Sequence, residues 1–252
     1  MKIALFYFSG TGNTEYACSK FKNYMDLHNN NVTLYKIEDT SFDIRIFNQA
    51  DVIGIAYPIC GANLPRIVND FLDSLSDNLH KNVFIISTVG YINAYGPFLI
   101  EKKLKQKSLF LKWHYVYKTI DNTSIAKAAR IQLELKHKKQ ENKFIRFCES
   151  IISNKPYRNG IGPWLLGGYL VRNLVKKQIE NHYKTLYVDA NLCIKCNFCI
   201  NNCPTKSIQN NNEAFVFNET CTTCYRCINN CPVNAIKKIS LKAADKKLNN
   251  KV

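Results

Sequence analysis

The sequence predicts a doubly wound α/β domain on a five-stranded parallel sheet, followed by a second, small α+β domain. Three observations predict it. Short apolar runs alternate with helical patterns through the first 153 residues, the order expected of strands joined by crossover helices. The runs Val52-Ile53-Gly54-Ile55-Ala56 and Val83-Phe84-Ile85-Ile86 are almost continuously apolar, as central strands covered on both faces must be. Finally, eight of the eleven cysteines crowd between Cys193 and Cys231.

Taken in order, the expected strands are Lys2 to Phe8, Asn31 to Ile37, Val52 to Ala56, Val83 to Thr88 and Leu109 to Tyr117. Helices are expected at Asn13 to Leu27, Ile44 to Gln49, Leu64 to Leu75 and Ala94 to Lys105. Ser124 to Ser153 reads as one long helix or two consecutive ones, with Phe144, Phe147 and Ile151 at helical spacing and a polar middle from Lys136 to Asn142. Pro156 to Pro163, with Gly160 and Gly162, marks a boundary. Trp164 to Tyr183 follows as an amphipathic segment suited to packing between domains. The expected division is 1–153 for the α/β domain, 154–183 for the linker, 184–241 for the cysteine-rich domain and 242–252 for a polar tail.

The 252 residues, 46% hydrophobic, suffice for a core, and no apolar stretch approaches the roughly 18 residues a membrane span requires. The first apolar run breaks at Ser9-Gly10, too early for a signal peptide, so a soluble, cytoplasmic protein is expected. Cysteine clustering in such a chain points to metal in preference to disulfides. The formal charge is +16; residues 101–150 alone carry 13 Lys and Arg against 5 Asp and Glu. No nucleic-acid reader motif accompanies that charge, which suits a solvated face or a surface for an acidic redox partner and gives no reason to expect nucleic acid. Cys18 and Cys148 fall in helices and are expected to pack, Cys60 reads as an inert small residue, and no histidine belongs to a catalytic or metal pattern.

Cysteine spacing carries the strongest signal. CIKCNFCINNCPTKSI at 193–208 recurs as CTTCYRCINNCPVNAI at 221–236, an offset of 28 residues that preserves every cysteine and the Ile-Asn-Asn-Cys-Pro core. Zinc sites of four cysteines usually show two C-x2-C pairs, so a third cysteine plus C-P, occurring twice, exceeds what zinc requires. Each half resembles the C-x2-C-x2-C-x3-C-P run of bacterial ferredoxins that hold two [4Fe-4S] clusters. That resemblance implies one cluster on Cys193, Cys196, Cys199 and Cys231, and another on Cys221, Cys224, Cys227 and Cys203. Ile200, Ile208, Ile228 and Ile236 would shield the sulfur from water. Family members generally carry an acidic surface, whereas here Lys195, Lys206, Arg226, Lys237 and Lys238 outnumber Asp189, Glu213 and Glu219.

The loop FSGTGNTEY at 8–16 follows the first expected strand and opens the first expected helix, where a doubly wound sheet presents main-chain amides and a positive helix end. Glu15 stands where the dinucleotide fingerprint wants glycine, and the Gly-Lys-Ser/Thr of a P-loop is missing. What remains is a set of amides and hydroxyls from Ser9, Gly10, Thr11, Gly12, Asn13 and Thr14, able to hold a phosphate monoester without a countercharge. An N-capped turn favours the same residue types. The pattern resembles the flavodoxins, which implies FMN and the strand order 2-1-3-4-5. It further implies that Tyr57, Pro58 and Gly61 after the third strand, and Thr88, Val89, Gly90 and Tyr91 after the fourth, flank the flavin ring. Tyr57 or Tyr91 would stack on the ring, and the Gly61 peptide would answer protonation at flavin N5.

As a whole the chain resembles the flavodoxin-ferredoxin fusion proteins of anaerobic prokaryotes. An electron-transfer protein linking FMN, two [4Fe-4S] clusters and an external redox protein is the function implied. Two alternatives stay open: a reductase of a small acceptor such as a quinone or nitro compound, and a redox-sensing or assembly subunit. No acid/base residue stands near the flavin loops, so no catalytic residue is expected.

Overall fold

The computed structural model describes residues 1–39, 42–60, 63–90, 96–119, 128–160, 181–211 and 214–239, with backbone only at 96–99 and 128–139. The expected Tyr91 and Gly61 contacts, nearly all of the amphipathic segment 164–183 and the tail lie outside these residues.

Strands β1 (Lys2–Tyr7), β2 (Asn31–Lys36), β3 (Val52–Pro58), β4 (Lys81–Val89), β5 (Leu109–Lys118) and β6 (Tyr157–Arg158) form one sheet in the order β2-β1-β3-β4-β5-β6. Every pairing is parallel. Five strands take the 2-1-3-4-5 order of a flavodoxin-like fold; the sheet has six strands and extends past residue 153. The added strand has no apolar pattern of its own. It is held along the open edge of β5 by polar groups: Trp113 Nε1 donates to the Lys155 carbonyl (2.6 Å), and Asn159 Oδ1 accepts from Val116 N–H (2.7 Å).

Helices α1 (Asn13–Leu27), α2 (Ile44–Gln49), α3 (Arg66–Ser74), α4 (Gly96–Gln106) and α5 (Ala128–Ile152) cover the sheet. Strand side chains alternate between faces. Ala4, Phe6, Ile53, Ile55, Val83 and Ile85 point to one core with Phe47, Val68 and Phe71, where Phe6 stacks on Phe47 at 4.7 Å between ring centres. Ile3, Leu5, Phe84 and Ile86 point to the other core. There α1 supplies Ala17, Cys18, Phe21 and Met25, and α5 supplies Phe144, Phe147, Cys148 and Ile151, both at helical spacing. Cys18 and Cys148 are therefore packing residues, and the long segment before residue 153 is one helix over its described length.

The cysteine-rich part contains β7 (Leu186–Val188), α6 (Phe198–Asn201), β8 (Ile208–Asn210), β9 (Phe215–Phe217), α7 (Arg226–Asn229) and β10 (Ile236–Lys238). β7 pairs antiparallel with β10, and β8 with β9. Ile208, Phe217 and Ile236 are buried, and Cys199, Ile200, Cys203, Cys227, Ile228 and Cys231 pack against them. Among the described residues no helix is long and apolar enough to cross a membrane.

Candidate functional site

The sequence repeat is also a repeat of backbone. Lys195, Asn197 and Lys206 take φ of 54°, 55° and 49°; 28 residues later Thr223, Tyr225 and Asn234 take 58°, 58° and 51°. None is glycine, so each left-handed position costs about 1–2 kcal/mol. Loops of this kind turn successive N–H groups into one concavity, the usual cradle of an iron-sulfur site. Two such donors reach equivalent sulfurs: Ser207 N–H to Cys203 Sγ (3.3 Å) and Ala235 N–H to Cys231 Sγ (3.2 Å).

Cys203 from the first half and Cys221, Cys224 and Cys227 from the second line one cavity. Burial pushes the Cys224 thiol up to about 12; the Arg226 N–H opposes the shift, and Cys221 and Cys203 add to it. Cys199 likewise senses Cys193 and Cys196. Among the described residues no three His, Cys, Asp or Glu side chains converge closely enough for a single metal ion. Four thiols lining one cavity are a donor set suited to an iron-sulfur cluster.

His182, which the sequence pattern did not single out, lines the same cavity. It is 5% exposed, its Nδ1 lies 3.3 Å from Thr185 Oγ1, and its ring meets Tyr225 edge-on at 5.0 Å. Its Nε2 is, among the described residues, the buried side-chain nitrogen or oxygen left without a hydrogen-bond partner. A buried ring nitrogen without a partner is costly.

At the other candidate site, the loop between β1 and α1 turns at Gly12, which has φ of 92° and caps α1 with no side-chain hydrogen bond. A glycine at the cap position lets the loop backbone approach an anion closely at a helix N-terminus. Gly12 N–H donates to Ser9 Oγ (3.1 Å), and the Thr14 and Thr88 hydroxyls share a buried hydrogen bond of 2.8 Å that ties this loop to the end of β4. Glu15 accepts from the Tyr7 hydroxyl (3.0 Å) and lies 3.6 Å from Lys36 Nζ. Residues 9–12 also border an open groove of about 640 Å³ that Glu15, Lys36, Glu38, Asp39, Lys206 and Arg226 help to line. The amides and hydroxyls of residues 9–14, not this groove of mixed charge, are the donor set that fits the phosphate end of a mononucleotide. Of the expected ring contacts, Pro58, Thr88, Val89 and Gly90 lie at the C-terminal ends of β3 and β4. Tyr57 does not present its ring: it is 0% exposed within the core, and burial raises its phenol pKa well above the ordinary value. Its place one residue before the strand end, on the face covered by α3, explains this.

The two sites touch. A Cβ built on Gly10 would lie 2.4 Å from the Cys224 carbonyl oxygen and 2.9 Å from Cys224 Cβ, so the loops are in backbone contact. Thr222 Oγ1 accepts from Ile67 N–H (3.4 Å) at the start of α3, whose own cap position, Pro65, supplies no side-chain bond. Arg66 donates to the Glu219 carbonyl (3.0 Å). Arg226 donates to the carbonyls of Ser9 (2.8 Å) and Gly10 (3.3 Å) and forks onto Glu38 at 2.6 and 2.7 Å. Cys60 lies half-buried at the same junction, its thiol pushed up to about 12 by desolvation and then by Cys224 and Cys221. The second cysteine loop thus sits at the C-terminal ends of β1 and β3, the switch point where open α/β sheets bind ligands.

Comparison with known proteins agrees with this division. Residues 185–245 match the family model of the 4Fe-4S dicluster domain. The chain joins a flavodoxin-like fold to a 4Fe-4S dicluster domain. Similar solved structures include oxidised Flavodoxin 2 from Bacillus cereus, 21% identical with TM-score 0.44, covering 60% of this chain and 99% of that one. A short-chain flavodoxin associated with a non-canonical PDU bacterial microcompartment is 15% identical with TM-score 0.46, covering 61% and 98%. Two-electron reduced Megasphaera elsdenii flavodoxin is 19% identical with TM-score 0.42, covering 48% and 90%. The fold assignment rests on the strand order. No curated protein matches the chain in sequence.

The dicluster domain's Arg226 and Thr222, together with Glu38 and His182, were not found by motif. For Arg226 a signal existed: it breaks the repeat, standing where the first half has Phe198.

Proposed function

We propose that the protein is an electron carrier that holds FMN on the loop 9–14 and two [4Fe-4S] clusters on its eight C-terminal cysteines. In this reading it exchanges electrons between them and with an external redox protein. The observation that carries the reading is the backbone contact between Gly10 and Cys224, which sets a cluster-ligand loop directly on the phosphate-type loop. Flavin supplies a two-electron store that can be emptied in single steps, and each cluster carries one electron at a time. The chain's part is to hold these centres in fixed contact, which replaces diffusional encounter.

The two cysteine groups have different surroundings and so different tasks. Cys221, Cys224 and Cys227 face the flavodoxin-like domain. The equivalent loop of the first half is open to solvent: Cys196 is exposed, and Leu192, Ile194 and Phe198 are 43%, 61% and 39% exposed. We assign the inner group to exchange with FMN and the outer group to exchange with the partner. The exposed Lys195 on that outer loop suits an acidic-surfaced partner.

Anaerobic purification with iron, sulfide and flavin quantified, followed by stepwise reductive titration, tests the reading. Roughly eight irons and one FMN per chain are expected, with flavin and cluster signals titrating in one protein. Fewer than about seven irons, or no flavin after reconstitution with FMN, would overturn it. Steady turnover of quinones or nitro compounds by the reduced protein would replace it with the reductase reading.

A further inference from the structure

Arg226 has five N–H donors, and all five are used. Nε donates to the Gly10 carbonyl, Nη1 to Glu38 and to the Asn202 carbonyl (3.1 Å), and Nη2 to the Ser9 carbonyl and to Glu38. No donor remains for a phosphate, and the charge is matched by a carboxylate that is itself only 19% exposed. Arg226 is therefore no direct anion ligand. What it holds is the orientation of two peptide groups. In a trans peptide the C=O and the N–H point to opposite sides. Holding the Ser9 and Gly10 carbonyls toward the dicluster domain turns the N–H groups of Gly10 and Thr11 the other way, toward the cradle side of the loop.

The same residue is bound into the cysteine loop. It starts α7 between Cys224 and Cys227, and its backbone N–H lies on the Cys224 thiol. Cluster assembly fixes this loop, because its thiolates become ligands.

We propose that Arg226 is a positioning residue that couples cluster assembly to retention of the flavin phosphate: the loop 9–12 grips FMN tightly only while the second cysteine loop is folded on its cluster. This rests on FMN being the ligand, as proposed above. By linkage the coupling is reciprocal, so FMN also steadies the cluster loop.

The test measures binding of FMN and of riboflavin, which lacks the phosphate, to the full-length, cluster-loaded protein under anaerobic conditions. It compares wild type, Arg226→Ala and Glu38→Gln by flavin fluorescence. Arg226→Ala is expected to weaken FMN about ten- to a hundredfold while riboflavin shifts less than about threefold. Glu38→Gln, remote in sequence from every cysteine, is expected to give a smaller loss of the same phosphate-specific kind, and it carries the test if Arg226→Ala fails to assemble clusters. FMN binding unchanged in both variants, or FMN and riboflavin weakened equally, would overturn the coupling. Failure of the wild type to bind FMN at all would instead overturn the ligand assignment.

Discussion

Gly10→Ala tests whether the two domains meet where the structure brings them together. The new Cβ would lie 2.4 Å from the Cys224 carbonyl oxygen, 2.9 Å from Cys224 Cβ and 3.2 Å from the Cys224 carbonyl carbon. An ordinary carbon–oxygen approach is about 3.3–3.6 Å, so one backbone must retreat by about 1 Å. Neither gives way easily, since Arg226 holds one loop and cluster thiolates hold the other. Overpacking of this kind costs about 1–3 kcal/mol, and the cheapest relief is to open the domain contact. Gly12→Ala is the matched control. Its Cβ meets nothing within 4 Å, so it suffers only the strain of φ at 92°, about 1–2 kcal/mol confined to the loop. Stopped-flow reduction of the anaerobic holoprotein reads the difference: Gly10→Ala slows electron exchange between clusters and flavin, and Gly12→Ala weakens FMN without slowing exchange in the loaded fraction. Equal exchange rates in wild type and Gly10→Ala would refute the contact as the electron route.

Ile194→Glu, on the outer cysteine loop, is expected to slow exchange with an acidic partner protein several-fold and leave internal exchange at the wild-type rate; stopped-flow mixing with the partner separates the two. His114 is buried beside the Ser87 hydroxyl and the Asn159 carbonyl, each at 3.0 Å, and burial, then Arg158, lowers its pKa to about 4. Between about pH 4 and its unfolded pKa near 6.5 the unfolded chain binds the extra proton, so stability is complete above that window and falls as pH drops through it, by about 1 kcal/mol from pH 6.5 to 5.5. Thermal unfolding of wild type and His114→Gln across that interval checks it, the variant showing the shallower dependence.

Local chemistry was legible in the sequence and long-range chemistry was not. Asn13–Leu27 and Ile44–Gln49 fall where their patterns placed them, because their apolar stripes are encoded within the elements. The 28-residue repeat of the cysteine loops and the turn that opens α1 were legible as local patterns too. β6 was missed because it is two residues long and is anchored through Trp113 and Asn159, not through alternation. The sequence gives Tyr57 the position of a ring-stacking residue, and the structure gives it to the core, since only tertiary packing decides which face of a strand end is covered. Glu38 and Arg226 lie 188 residues apart, beyond any window of periodicity.

The duplication explains how one small domain can serve two partners. Both halves keep the cysteines, the left-handed turns and the amide-to-sulfur bonds, so both can build the same cradle. They differ at the residues between the cysteines. Ile194 and Phe198 leave apolar surface in solvent on one side, while their counterparts Thr222 and Arg226 reach the start of α3 and the carbonyls of the loop 9–10 on the other. Exposed apolar side chains suit an encounter that must dissociate, and a fully paired arginine suits one that must persist. On this reading, exchanging the two sets, with Phe at 226 and Arg at 198, would release the inner loop from the flavodoxin-like domain without supplying the outer loop with a Glu38 to bind. Both cradles would survive, and the contact between them and the phosphate-type loop would not.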